Sequence, residues 1–255
     1  MSTVATQEQH AKQARETFLG TDTTYKILFD FTSQDQRTLL QYLQANNYQL
    51  LAYKGATGPN QVTAGLPTWF AQPFGSVFGS IEIDYTPQYK VYVYNSTVIG
   101  ANTTIQMQAI SGLVGLGKSL VFNADGSFSP GTVTAPTDGI VLQNNRPAGT
   151  PNVTVGLAAY INGQYLPFCA FTSTPQGSVA MTPHESVCLF AAMTSLQSGS
   201  VTAVATAPGV SFSFSAAAPV YTLAIAPSTY AVIGSGSSIV TDVNSGASLA
   251  QLLNS

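Results

Sequence analysis

A lysine placed to hold a phosphate, two acids spaced for sugar chemistry, a histidine beside a cysteine and a ring-rich loop are the places where this chain could do chemistry. The stretch from Gly112 to Ser119 (GLVGLGKS) fits the phosphate-cradling pattern G-x-x-x-x-G-K-S, and the strand-like TTIQMQAI precedes it. That chemistry also needs a helix starting at the lysine, because the free amides of a helix N-terminus hold the phosphates. Here the chain continues from Leu120 as LVFNADG, a strand and a turn, so residues 112–119 read as a glycine-rich β-connection.

Glu82 and Asp84 stand two apart on a predicted strand, so their Cα atoms lie about 6.6 Å apart on one face. Paired carboxylates at such a separation hydrolyse glycosidic bonds. Ile81, Ile83 and Tyr85 alternate with them as an inward face should, and the acids are therefore expected on a solvated outer face. His184, Glu185, Cys188 and Cys169 are metal-ligating types. On an extended strand, however, His184 and Cys188 would be about 13 Å apart, too far to share an ion. The other histidine, His10, lies in the polar start, and no nucleophile motif accompanies His184. No catalytic residue, metal or cofactor is expected, and the chain is not read as an enzyme.

Residues 65–79 (GLPTWFAQPFGSVFG) put Trp69, Phe70, Phe74 and Phe78 among glycines and prolines without a charge. Loops normally run over the surface. Exposed rings that suit both sugar faces and lipid headgroups are a binding signal. The binding reading assigns Trp69, Phe70, Phe74 and Phe78, with the nearby Tyr85 and Tyr89. The competing reading folds the loop back as a lid over a sandwich core, with Trp69 as its plug.

The elements that would position these residues are mostly strands. Residues 1–22 read as a polar arm with a short helix. Residues 23–31 alternate Tyr25, Ile27, Phe29 and Phe31 with polar neighbours, as a half-buried strand does. Ser33, with Gln36 three positions on, caps a helix over about 33–46 whose inward face is Leu39, Leu40 and Leu43. Helical signal then stops until SLAQLL near the end. Short β-rich runs fill the space between, at 81–85, 89–94, 103–110, 153–161, 164–171, 186–192, 200–206, 210–214 and 220–226. Asn162-Gly163 and Asp125-Gly126 predict tight hairpins. Val201, Ala203 and Ala205, then Val210, Phe212 and Phe214, predict two strands joined as a hairpin around Pro208-Gly209. Lipid-facing barrel strands and ordinary sandwich strands both have this pattern.

A weak internal repeat relates 83–107 to 179–203, each read as strand, Thr-Pro turn, strand, turn, strand. It predicts two related lobes, 23–146 and 147–255, divided in the Pro/Gly-rich 144–152. The fold class is mainly β, an antiparallel β-sandwich with a short N-terminal helical region.

Charge decides what such a fold could touch. Only 7% of the chain is charged, against about a quarter in ordinary soluble domains. After Arg146 there is no lysine or arginine, and the only acids are Glu185 and Asp242. Without clustered Lys and Arg, nucleic acid is not an expected partner. The start has no apolar run behind a positive charge, so synthesis in the cytoplasm without a leader and action outside after release are expected. Asn95, Asn102 and Asn152 then read as turns, and Cys169 and Cys188 as buried reduced thiols. The expected function is a lectin- or cytolysin-like binding protein docking on a glycan or lipid membrane surface, as a homo-oligomer that could form a pore. The alternative is a self-assembling subunit of a filament, shell or crystal.

Overall fold

The computed structural model describes residues 23–96 and 99–254, so the arm expected over 1–22 lies outside the described residues. β1 (Tyr25–Asp30), α1 (Gln34–Ala45), β2 (Tyr48–Thr57), β3 (Leu66–Pro67), β4 (Phe70–Pro73) and β5 (Ser80–Tyr94) lead into β6 (Ala109–Ile110), β7 (Lys118–Phe122), β8 (Phe128–Pro130) and β9 (Ile140–Asn144). β10 (Val153–Ile161), β11 (Gln164–Pro167), β12 (Phe171–Ser173) and β13 (Ser178–Met193) follow. β14 (Val201–Thr202), β15 (Gly209–Ser213), β16 (Val220–Ile225), β17 (Val232–Gly234), β18 (Thr241–Val243) and α2 (Leu249–Leu253) complete the chain. With 48% strand and 9% helix, the fold is mainly β and sandwich-like, as expected.

Two large sheets pack face to face. The first runs β11-β10-β5-β1-β16-β17, and the second β18-β15-β13-β9-β7-β8, with β2 on β13 and β4 on β2. Most pairings are antiparallel, but β1–β16 and β7–β9 are parallel, so both sheets are mixed. Strands from both sides of residue 147 share each sheet, so the two lobes expected there do not form separate sheets. The repeated segments are instead the long central strands, β5 in one sheet and β13 in the other. Thr86-Pro87 and Thr182-Pro183 do not turn the chain. Each sits within a continuous strand at a register shift, where a proline without an amide is tolerated.

Alternation sets the core. Tyr25, Ile27 and Phe29 of β1, Ile81, Ile83 and Tyr85 of β5, Leu50, Ala52 and Ala56 of β2, and Leu189 and Ala191 of β13 fill the space between the sheets. The other face of β2 and β13 (Leu51, Tyr53, Cys188, Phe190) is covered by Leu249 and Leu253 of α2. These two strands are thus buried on both faces.

Three local expectations hold. Ser33 caps α1, its Oγ accepting from the Gln36 amide at 3.4 Å, and Leu39, Leu40 and Leu43 face inward. Asn162 (φ 45°) and Gly163 (φ 83°) turn β10 into β11, a two-residue hairpin that needs positive φ at both positions. Residues 123–127 join β7 to β8 around Asp125-Gly126. Two expectations are corrected. Of 103–110 only Ala109–Ile110 is a strand. The Pro208-Gly209 hairpin does not form, because β14 pairs with β3 while β15 lies between β13 and β18.

The register also gathers one end of the sandwich. Asp30 lies opposite Ser80, Tyr48 opposite Met193, Gln49 opposite Pro73 and Ile225 opposite Val232. α1 links β1 to β2 across this end and closes it. Among the described residues no helix is long and apolar enough to cross a membrane.

Candidate functional site

Five of the six rings assigned to binding are interior. Trp69, Phe74 and Tyr85 are fully buried, and Phe70 and Tyr89 nearly so, whereas Phe78 is 90% exposed. The exposed placement that the binding reading gives the first five is therefore corrected, and Tyr85 lies inward as its alternation with Glu82 and Asp84 predicts. The physical reason is that 66–76 is mostly not a free loop: β4 pairs with β2, and the Trp69 amide donates to the Ala52 carbonyl at 2.8 Å. Trp69 meets the Tyr85 ring edge to face at 4.9 Å. Trp69 is the buried plug of the competing reading, held there by a strand of the sheet and not by a free lid.

Around those rings lies a polar cluster that sequence reasoning missed. Lys54 on β2 is fully buried. Its Nζ pairs with Glu185 Oε2 at 2.9 Å, donates to the His184 carbonyl, and stands 4.7 Å from the Tyr85 ring centroid. Glu185 Oε1 accepts from the Tyr89 hydroxyl at 2.8 Å and from that of Tyr85 at 3.1 Å. The network therefore bolts β5 of one sheet to β2 and β13 of the other. Glu185 reaches inward because β13 shifts register between Pro183 and Val187. Burial pulls the Lys54 ammonium below its ordinary 10.5, opposed by the Glu185 charge, and pushes both phenols well above 10.0. The missed signal was alternation: Lys54 shares the inward face of Leu50, Ala52 and Ala56. The Glu185 side chain, 29% exposed, is the edge of the cluster nearest solvent.

The α1-capped end carries the exposed rings. A groove of about 450 Å³ lies between α1 and residues 77–79, walled by Phe31, Arg37, Leu40, Gln44 and Phe78. Gln44 Nε2 donates to the Val77 carbonyl at 3.0 Å and Arg37 Nε to the Thr32 carbonyl at 2.7 Å, so the helix fixes the segment that presents Phe78. On the other flank of α1, Tyr42 (41% exposed) stacks on Tyr230, and Met193 (65% exposed) ends β13.

The remaining motifs fall elsewhere. Lys118 opens a strand and not a helix, as its context predicted. Glu82 and Asp84 lie on the outer face and both pair with Lys26, the latter at 3.0 Å. Cys169 and Cys188 are free and buried, and burial pushes each thiol up to about 12. His184 Nε2 sits 3.0 Å from Thr57 Oγ1, and burial, then the Lys54 charge, lowers its pKa. Among the described residues no three His, Cys, Asp or Glu side chains converge as metal ligands. Compared with family models, curated proteins and solved structures, this chain matches none.

Proposed function

We propose that this protein acts by binding: it docks on a glycan or lipid surface through the α1-capped end of its sandwich, in the manner of a lectin- or cytolysin-like defence protein. The observation that carries the reading is the gathering of Phe78, Tyr42 and Met193 at that one end, each more than two-fifths exposed at 90%, 41% and 65%. Isolated exposed apolar residues are ordinary, but a group held by a capped helix at one pole suits an external partner. Apart from Arg37, the groove is lined by rings, aliphatic side chains and neutral polar groups.

Co-sedimentation with phosphatidylcholine vesicles and with erythrocytes tests the reading. Phe78→Ser should weaken binding about tenfold, the loss of roughly 1.4 kcal/mol of contact, and leave the unfolding midpoint in place. Trp69→Ala should instead lose about 3–5 kcal/mol of stability, as large buried rings do. Failure of the wild-type chain to bind either surface would sink the proposal.

A second reading, self-assembly into a homo-oligomer, is favoured by the edge at β17. Ile233 (38%) of β17 and Ile239 (87%) in the segment between β17 and β18 are exposed, and no charged residue occurs between Glu185 and Asp242. Edge strands usually carry lysine to block sheet addition.

A further inference from the structure

We infer that Tyr42, Tyr48 and Tyr230 form a stacking platform for a neutral sugar, an inference that rests on the docking reading and names its ligand class. The three rings come from separate parts of the chain: α1, the start of β2, and the turn between β16 and β17. Tyr42 and Tyr230 stack at 4.5 Å and 8°. Tyr48 leans against both, 6.3 Å from Tyr42 at 50° and 5.7 Å from Tyr230 at 56°. Beside Tyr48 a cavity of about 370 Å³ is walled by Met193, Thr194, Thr206, Ala207 and Thr229. That volume is at the lower end of small-ligand sites, about 300–1,000 Å³.

Two features mark this cluster, whose Tyr48 and Tyr230 pack against the rim of the core. First, Tyr230 holds φ 57°, the left-handed region that a bulky side chain rarely enters and that costs about 1–3 kcal/mol. Its amide donates to the Ala226 carbonyl at 2.9 Å, and the Ala226 amide to the Ala231 carbonyl at 2.9 Å, so the turn fixes the strained residue. Second, the rings sit at the surface. Tyr42 is 41% exposed and the other two are half-buried, so each ring keeps part of its surface open to solvent.

The chemistry on offer selects the ligand. Aromatic faces take the C–H face of a pyranose, while the phenols and the hydroxyls of Thr194, Thr206 and Thr229 suit its hydroxyl rim. None of the residues that wall the cavity is charged, so it offers an acidic or sulfated sugar no cation to pair with.

The test is titration calorimetry with neutral methyl glycosides and neutral disaccharides, with sialylated and sulfated sugars and phosphatidylcholine vesicles as contrasts. A neutral sugar should bind, and Tyr42→Ala and Tyr230→Ala should each weaken it about tenfold. Tyr42→Phe, which keeps the ring face, should retain most of the affinity. Unfolding midpoints check that the variants remain folded. Sugar binding indifferent to both alanine variants, or binding of charged sugars alone, overturns the platform and leaves docking standing. Vesicle binding that depends on Phe78, with no sugar bound, also overturns the sugar assignment but not docking. No binding to any probe overturns both.

Discussion

Burying an ammonium costs several kcal/mol unless a carboxylate and further hydrogen bonds replace its water. Lys54 obtains both, from Glu185 and the His184 carbonyl, in a chain where charge is otherwise scarce. The partners are unequal: Lys54 is sealed, whereas the Glu185 side chain is 29% exposed and also accepts two phenol protons. Glu185→Gln should therefore lose about 3–5 kcal/mol near neutral pH, because it strands a buried charge. Lys54→Met should lose less. The lowered pKa of Lys54 supplies a sign for pH. Between its folded value and the unfolded 10.5 the unfolded chain binds the extra proton, so stability rises with pH across that window. Below it the full penalty of burial is present. The Glu185→Gln penalty should accordingly shrink as pH is raised toward the unfolded value of 10.5 and buried Lys54 sheds its proton. Urea unfolding of both variants at neutral and alkaline pH measures this, and equal losses in the two variants would refute the asymmetry.

Among the elements, α1 and the Asn162-Gly163 hairpin were legible because their signals are local: a cap hydroxyl three residues from its amide, and a turn that demands positive φ. The strand around Pro208-Gly209 was not. Its alternation was read correctly, since Val210, Phe212 and Phe214 are buried and Ser213 and Ser215 exposed. Its partner was misread, because β13 and β18 claim β15 from both sides. Gly209 permits that approach: a Cβ there would lie 2.1 Å from the Leu189 carbonyl oxygen. Backbone cannot move aside as a side chain can. Gly209→Ala should therefore cost about 1–3 kcal/mol or more, visible as a lower urea midpoint and as loss of amide-exchange protection along β13 and β15. Unchanged protection there would contradict the packing described.

At the scale of the molecule, neutrality of the later half is a surface property. Ser213, Ser215, Thr206, Thr229, Thr241, Asn244 and Ser245 are exposed, and the two acids divide, Asp242 outward and Glu185 into the sandwich. Such a surface repels its copies weakly, and the β17 edge with Ile239 is where a second copy would add. If the chain self-associates there, Ile239→Lys should shift sedimentation toward monomer at equal concentration. An unchanged distribution, or a wild-type chain already monomeric, removes the assembly reading and leaves docking untouched.

Composition and alternation alone determined the mainly β class, the capped helix, the outward carboxylates of Glu82 and Asp84 and the strand after Lys118, because each depends on residues within a few positions. Only the tertiary structure decided that β5 and β13 are unbroken through their Thr-Pro pairs, that Lys54 meets Glu185, and that Trp69 is covered while Phe78 is not. Those outcomes depend on which distant strand supplies the missing partner. A ring's own neighbours in sequence carry no record of what will be laid over it.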